Sequence, residues 1–73
     1  MDKLKLIKEL EKEKSILNEE LERRKNNINS NYELAKLDFV VIENLTDSTQ
    51  TFSYIIEELE KLQKRIIKRN KGE

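Results

Sequence analysis

Cysteine, histidine, proline and tryptophan are absent from this chain, and glycine occurs once, at Gly72. Each gap excludes something. Without cysteine there is no disulfide framework, no thiolate nucleophile and no Cys-ligated zinc. Without histidine the usual general base, proton shuttle and transition-metal ligand are missing. Without proline, and with a single glycine, the residues that tight turns demand are scarce. That argues against an all-β sandwich or barrel, which needs many turns. One glycine cannot supply a phosphate-cradling loop. Long apolar runs are missing too. The run from Phe39 to Ile42 is far short of a membrane span. The first eight residues, Met1 to Lys8, hold no apolar stretch of signal-peptide length. The expected setting is therefore a cytoplasm, where the Asn44-Leu45-Thr46 sequon has no glycosylation to direct.

What the sequence has is charge and helical periodicity. In 73 residues, 15 Lys+Arg balance 15 Asp+Glu, and charged residues make up 41%. This length fits one small domain, 1–73. A domain of about 60 residues buries only about 60% of its unfolded surface. With no disulfide or metal to staple it, self-association is the remaining common way to enlarge the core. Abundant Glu, Lys, Leu and Ile at helical spacing form a long-helix signature. The charge is also segregated. Residues 1–25 mix both signs, whereas 26–56 hold one base, Lys36, against Glu33, Asp38, Glu43 and Asp47. From Lys61 to Lys71 every charged residue is basic: Lys61, Lys64, Arg65, Lys68, Arg69 and Lys71.

Three helical segments are predicted, about 2–26, 31–45 and 48–69, arranged as a helix-turn-helix hairpin within a dimeric all-α bundle. In the first, Ile7, Leu10, Leu17, Leu21 and Ile28 fall on a 3-4 stripe whose other positions are Lys3, Lys14 and Arg24, so the seam is thin. Ion pairs Glu9–Lys12, Glu20–Arg23 and Glu20–Arg24 support it locally, each by about 0.2–0.5 kcal/mol. The stretch from Asn26 to Asn31 is the poorest helix former in the chain. Ser30 with Glu33 fits a capping box there. The second segment carries two apolar stripes, Tyr32-Ala35-Phe39-Ile42 and Leu34-Leu37-Val41, and so must be covered on two sides. Asp47 with Gln50 suggests another capping box and the bend of a hairpin. The third segment is the cleanest, with Phe52, Ile55, Leu59, Leu62 and Ile66 spaced 3, 4, 3, 4 and Glu57, Glu58 and Glu60 preceding Lys61 and Lys64. At about 1.5 Å per residue this helix outruns its shorter partner. Its basic end then lacks a mate unless the first segment folds back onto it.

Catalysis finds little support. The carboxylates lie on exposed helix faces, whereas an acid/base pair needs a pocket that perturbs its pKa. No nucleophile motif, metal site or cofactor site is recognisable. The basic end could meet phosphates, but no aromatic interleaves it and no DNA-binding helix pair precedes it. A membrane surface would need anchoring aromatics that the end lacks. A solvated helix end that complements the macrodipole would account for the charge alone. Protein binding accounts for more, because Ile66 and Ile67 framed by Arg65 and Lys68 can dock in a groove with ion pairs at the rim. Ile66 completes the hairpin's own stripe. Ile67, about 100° further round, does not.

The tetrad Arg65-Ile66-Ile67-Lys68, near the end of a roughly 70-residue helical chain rich in Lys, Asn and Ile, resembles the coat-binding motif of a scaffold family. These are the capsid-size-redirecting internal scaffolding proteins (CpmB) of staphylococcal pathogenicity islands. The resemblance implies a homodimeric helical scaffold that competes with a phage's own scaffold for the major capsid protein. Such a protein steers procapsid assembly toward a smaller shell in the bacterial cytoplasm and resides transiently inside procapsids. The coat-binding role carries over to Arg65, Ile66, Ile67 and Lys68, with Lys64 and Arg69 added from their charge. Dimerisation is expected from the apolar middle, through Leu34, Leu37, Phe39, Val41 and Ile42. The alternatives are a coiled-coil adaptor or a nucleic-acid-binding regulator that uses the basic helix.

Overall fold

The computed structural model describes residues 2–47 and 49–72. It is all-α: α1 spans Lys3–Arg24, α2 spans Ser30–Thr46 and α3 spans Phe52–Lys71. The bundle measures 37 × 20 × 16 Å. Its long dimension matches the roughly 33 Å that the 22 residues of α1 require.

Each helix begins where a short polar side chain satisfies an orphan amide. Asp2 accepts from the Lys5 amide at 2.8 Å, and Asn29 accepts from Tyr32 at 3.1 Å. Thr51 accepts from Tyr54 at 3.4 Å. Two of these starts differ from the sequence expectation. Asn29 caps α2 in extended geometry, which makes Ser30 its first helical residue and not its cap. Thr51, not Asp47, caps α3, and residues 49–51 are non-helical. The expected start of the third helix, at 48, lies outside the described residues.

The helices run up, down and up. Contacts from α1 to α3 advance together along both chains, Glu9 and Glu13 meeting Gln63 and Glu20 meeting Arg69, so these two helices are parallel. The first segment thus folds back along the third and supplies the mate that its basic end otherwise lacks.

The core unites Leu6, Leu10 and Leu17 of α1, Ile42 and Leu45 of α2, and Ile55, Leu59, Leu62 and Ile66 of α3. On α3 the buried positions are those of the predicted stripe except Phe52, which is exposed at the helix start. On α1 the buried row is Leu6, Leu10, Glu13, Leu17, Glu20 and Arg24. That row departs from the predicted stripe: Ile7 is exposed, and Lys14 and Leu21 lie at the margin. On α2 the row is Ala35, Asp38, Ile42 and Leu45, with Phe39 and Val41 half-buried beside it. In both helices the true row includes charged residues, which an apolar stripe passes over. Toward the end holding the α1–α2 loop and the C-terminus of α3, apolar layers therefore give way to a charged one.

Candidate functional site

The charged layer is centred on Arg69 of α3. Its Nε and Nη2 donate to Oε2 and Oε1 of Glu20, both at 2.7 Å, and its Nη1 donates to Oδ2 of Asp38 at 2.7 Å. Arg24 adds a bond from Nε to Glu20 Oε2 at 2.9 Å, and Arg65 a bond from Nε to Asp38 Oδ1 at 3.1 Å. Asn70 accepts from Arg23 and Arg24 at its edge. All three helices thus meet in one network. The Arg69, Glu20 and Asp38 side chains are 6%, 1% and 7% exposed.

Burying such charges is expensive unless every one is paired. Here the pairing is complete: among the described residues no buried side-chain nitrogen or oxygen lacks a partner. Burial alone would raise the Glu20 carboxyl, but hydrogen bonds and charge from Arg69 and Arg24 outweigh it and hold the carboxyl below its ordinary value. The Glu20 hydrogen bonds, opposed by burial and reinforced by Asp38, push the Arg69 guanidinium further up, so it stays charged. The network, through Asp38, Arg65 and Arg69, also lines a surface groove. Its geometric effect is to fix register, since one guanidinium must reach carboxylates on two different helices.

The Arg65-Ile66-Ile67-Lys68 tetrad is divided by this arrangement. Ile66 is 4% exposed and belongs to the core, and Arg69 is locked in the network. Arg65 is half-exposed but tied to Asp38. Ile67 is 65% exposed, and Lys64 and Lys68 are also exposed. The five apolar residues of the middle divide as well. Ile42 is fully buried, and Phe39 and Val41 pack against the core. Leu34 and Leu37 are 48% and 63% exposed.

Two grooves flank α3. One, toward α2, is lined by Leu34 and Leu37 opposite Arg65 and Lys68. The other, toward α1, is floored by Ile16, Ile66 and Ile67. Sequence reasoning singled out α3 but missed Glu13, Ile16 and Asp38 as its neighbours. The whole buried row on α1 becomes visible only if Glu13 and Glu20 are allowed in the seam beside Arg24. No group of His, Cys, Asp or Glu among the described residues is placed to hold a metal. No described helix is long and apolar enough to cross a membrane.

No protein-family model matches the chain, and neither the curated proteins nor the solved structures contain a match to it.

Proposed function

We propose that this chain is a protein-binding helical module, and specifically an internal scaffolding protein that binds a phage major capsid protein and redirects procapsid assembly to a smaller shell. The observation that carries the reading is Ile67: a large apolar side chain left 65% exposed on a rigid helix, amid the exposed Lys64, Lys68 and Lys71. Exposed apolar surface in a basic frame suits an apolar partner face with acidic flanks. The resemblance of Arg65-Ile66-Ile67-Lys68 to the scaffold motif supplies the identity of the partner. The burial pattern is compatible with that reading, since Ile66 and Arg69 are packed within the bundle while Ile67 and Lys68 are exposed.

Self-association would use the exposed Leu34 and Leu37 of α2, leaving Ile42 to the core of each copy. A dimer presents two such faces and gains avidity without a large interface, which suits a scaffold that must later leave. Its setting would be the bacterial cytoplasm and, transiently, the interior of procapsids. Coexpression with coat protein, followed by electron microscopy of the particles, tests the reading. Small shells support it, and shells of unchanged size overturn it.

The exposed amines also favour a second reading, phosphate binding by a nucleic-acid regulator. Lys64, Lys68 and Lys71 make no ion pair among the described residues, unlike Lys25, Lys36 and Lys61. A DNA mobility shift with steep salt dependence would favour it over the scaffold.

A further inference from the structure

We propose that the groove between α1 and α3 is a docking site for an acidic amphipathic helix of a partner protein, with Ile16 and Ile67 on its floor and Lys12 and Lys71 at its rim. The proposal rests on the reading of the chain as a protein-binding module, and it names the chemistry of the partner. It also makes the site composite, since half of it comes from a helix outside the Arg-Ile-Ile-Lys tetrad.

Ile67 stands about 100° round α3 from the core residue Ile66. That rotation puts it on the flank facing α1, where it lines the same groove as Ile16. Ile16 is half-buried and packs against the core, so it forms a fixed floor. Ile66 lies beneath both. A helix with apolar side chains at i, i+3 and i+4 can seat on such a floor between two parallel helices.

Charge selects the occupant. Lys12 of α1 and Lys71 of α3 line the groove from opposite sides, and neither makes an ion pair among the described residues. The acid facing the groove is Glu13, which is buried and accepts a hydrogen bond from Gln63 at 3.2 Å. The neighbouring Glu9 carboxylate, the expected partner of Lys12, accepts from Gln63 instead at 3.3 Å. The rim is left with two uncommitted ammonium groups beside apolar surface. Carboxylates flanking an apolar stripe complement it, and lysines would be repelled. In the groove toward α2, Arg65 is held by Asp38, which leaves Lys68 as the one lining cation without an ion pair among the described residues.

The test uses the full chain and two labelled synthetic helical peptides of identical leucine face, one flanked by glutamates and its twin by lysines. Fluorescence anisotropy should show the acidic peptide binding at least about tenfold more tightly than the twin, a difference of about 1.4 kcal/mol. Lys12→Glu/Lys71→Glu should reverse that preference, and Ile16→Ala or Ile67→Ala should weaken binding by about tenfold or more. Leu34→Ala/Leu37→Ala should leave it unchanged. Because Ile16→Ala also touches the core, the surface charge reversal is the deciding variant. Equal binding of the twins, loss of binding in the Leu34/Leu37 variant, or displacement of the peptide by excess unlabelled chain would each overturn the proposal. Coat co-assembly measured in parallel separates the two readings. Peptide binding without coat assembly sustains the groove and removes the capsid partner. Small shells that persist with Lys12→Glu/Lys71→Glu keep the scaffold and remove the groove as its docking site.

Discussion

Arg69 and Glu20 lie 49 positions apart on different helices and meet side by side through two hydrogen bonds of 2.7 Å each. Arg24 can serve Glu20 within α1, but the Arg69–Glu20 pair forms only when α1 has docked along α3. The pair therefore ties the end of the chain to its first helix, and through Asp38 to the second.

Removing one member of such a pair costs more than the pair contributes, because a buried charge is left uncompensated. Arg69→Met should cost about 3–5 kcal/mol. A single core of this size rarely supplies more than that same amount, about 3–5 kcal/mol. Urea denaturation followed by circular dichroism should find no cooperative transition in Arg69→Met. In Glu20→Met/Arg24→Met/Arg69→Met the buried charges that meet at Glu20 leave together, Asp38 keeps Arg65, and a transition should return. An Arg69→Met variant as stable as the parent would show that the network contributes nothing.

Acid should act on the same pair. The Glu20 carboxyl is held below its ordinary value of 4.5 in the fold. A depressed carboxyl gives stability that is present in full above its unfolded pKa and lost as pH falls through the folded one. Arg69, pushed upward, remains charged and adds no acid limb. Thermal melts should be level from neutrality to about pH 5 and decline below about pH 4.5. Glu20→Gln, less stable at neutral pH, should show a shallower decline. An equally steep decline in that variant would assign the acid sensitivity to other carboxylates.

The same network explains how far the sequence could be read. On α3, Ile55, Leu59, Leu62 and Ile66 are buried and apolar, so periodicity alone placed the helix face. On α1, Glu13, Glu20 and Arg24 share the buried row with three leucines. The predicted stripe shares Leu10, Leu17 and Arg24 with that row, but at Ile7, Lys14 and Leu21 it lands one position away from Leu6, Glu13 and Glu20. Of the local pairs that spacing suggests, Glu20–Arg24, Glu57–Lys61 and Glu58–Lys61 form, whereas Glu9 turns to Gln63 and away from Lys12, and Lys64 makes no ion pair among the described residues. The pairing of Arg69 with Glu20 and Asp38 was not, because many acids are available and only the docked helices choose among them. Capping was ambiguous for a related reason: the loops offer several competent side chains, and Asn29 and Thr51 are the ones that reach the right amide. The odd position of Ile67 was legible in full, since it needs only the 3.6-residue turn. The groove around it needed the parallel docking of α1.

Self-association should respond to Leu34 and Leu37 and not to their buried neighbours. Both side chains are exposed in the single chain, so Leu34→Asp/Leu37→Asp should change its stability by no more than about 0.5 kcal/mol per site. Sedimentation equilibrium should report a dimer for the parent and a monomer for the variant, with helical content preserved. An undiminished dimer would move the interface away from the outer face of α2. By contrast, Ile42→Asp should unfold the chain, because Ile42 is fully buried.

Adjacent isoleucines give the sharpest separation of fold from function. Ile66 is 4% exposed and Ile67 65% exposed, although one peptide bond joins them. Ile66→Ala removes buried methyl groups and leaves a cavity, at a cost of about 2–5 kcal/mol. Ile67→Ala removes exposed surface and should shift stability by less than about 0.5 kcal/mol. Thermal melts should therefore show a large loss for Ile66→Ala and almost none for Ile67→Ala. Coexpression with coat protein should give the opposite contrast at equal folded concentration: on the proposed scaffold reading, Ile67→Ala should fold but lose small shells, because the proposed contact is gone. Folded Ile66→Ala, assayed at low temperature, should retain part of the effect. If Ile67→Ala redirected shell size as well as the parent does, the exposed face of α3 would not be the contact, and partner binding would have to be sought on α2.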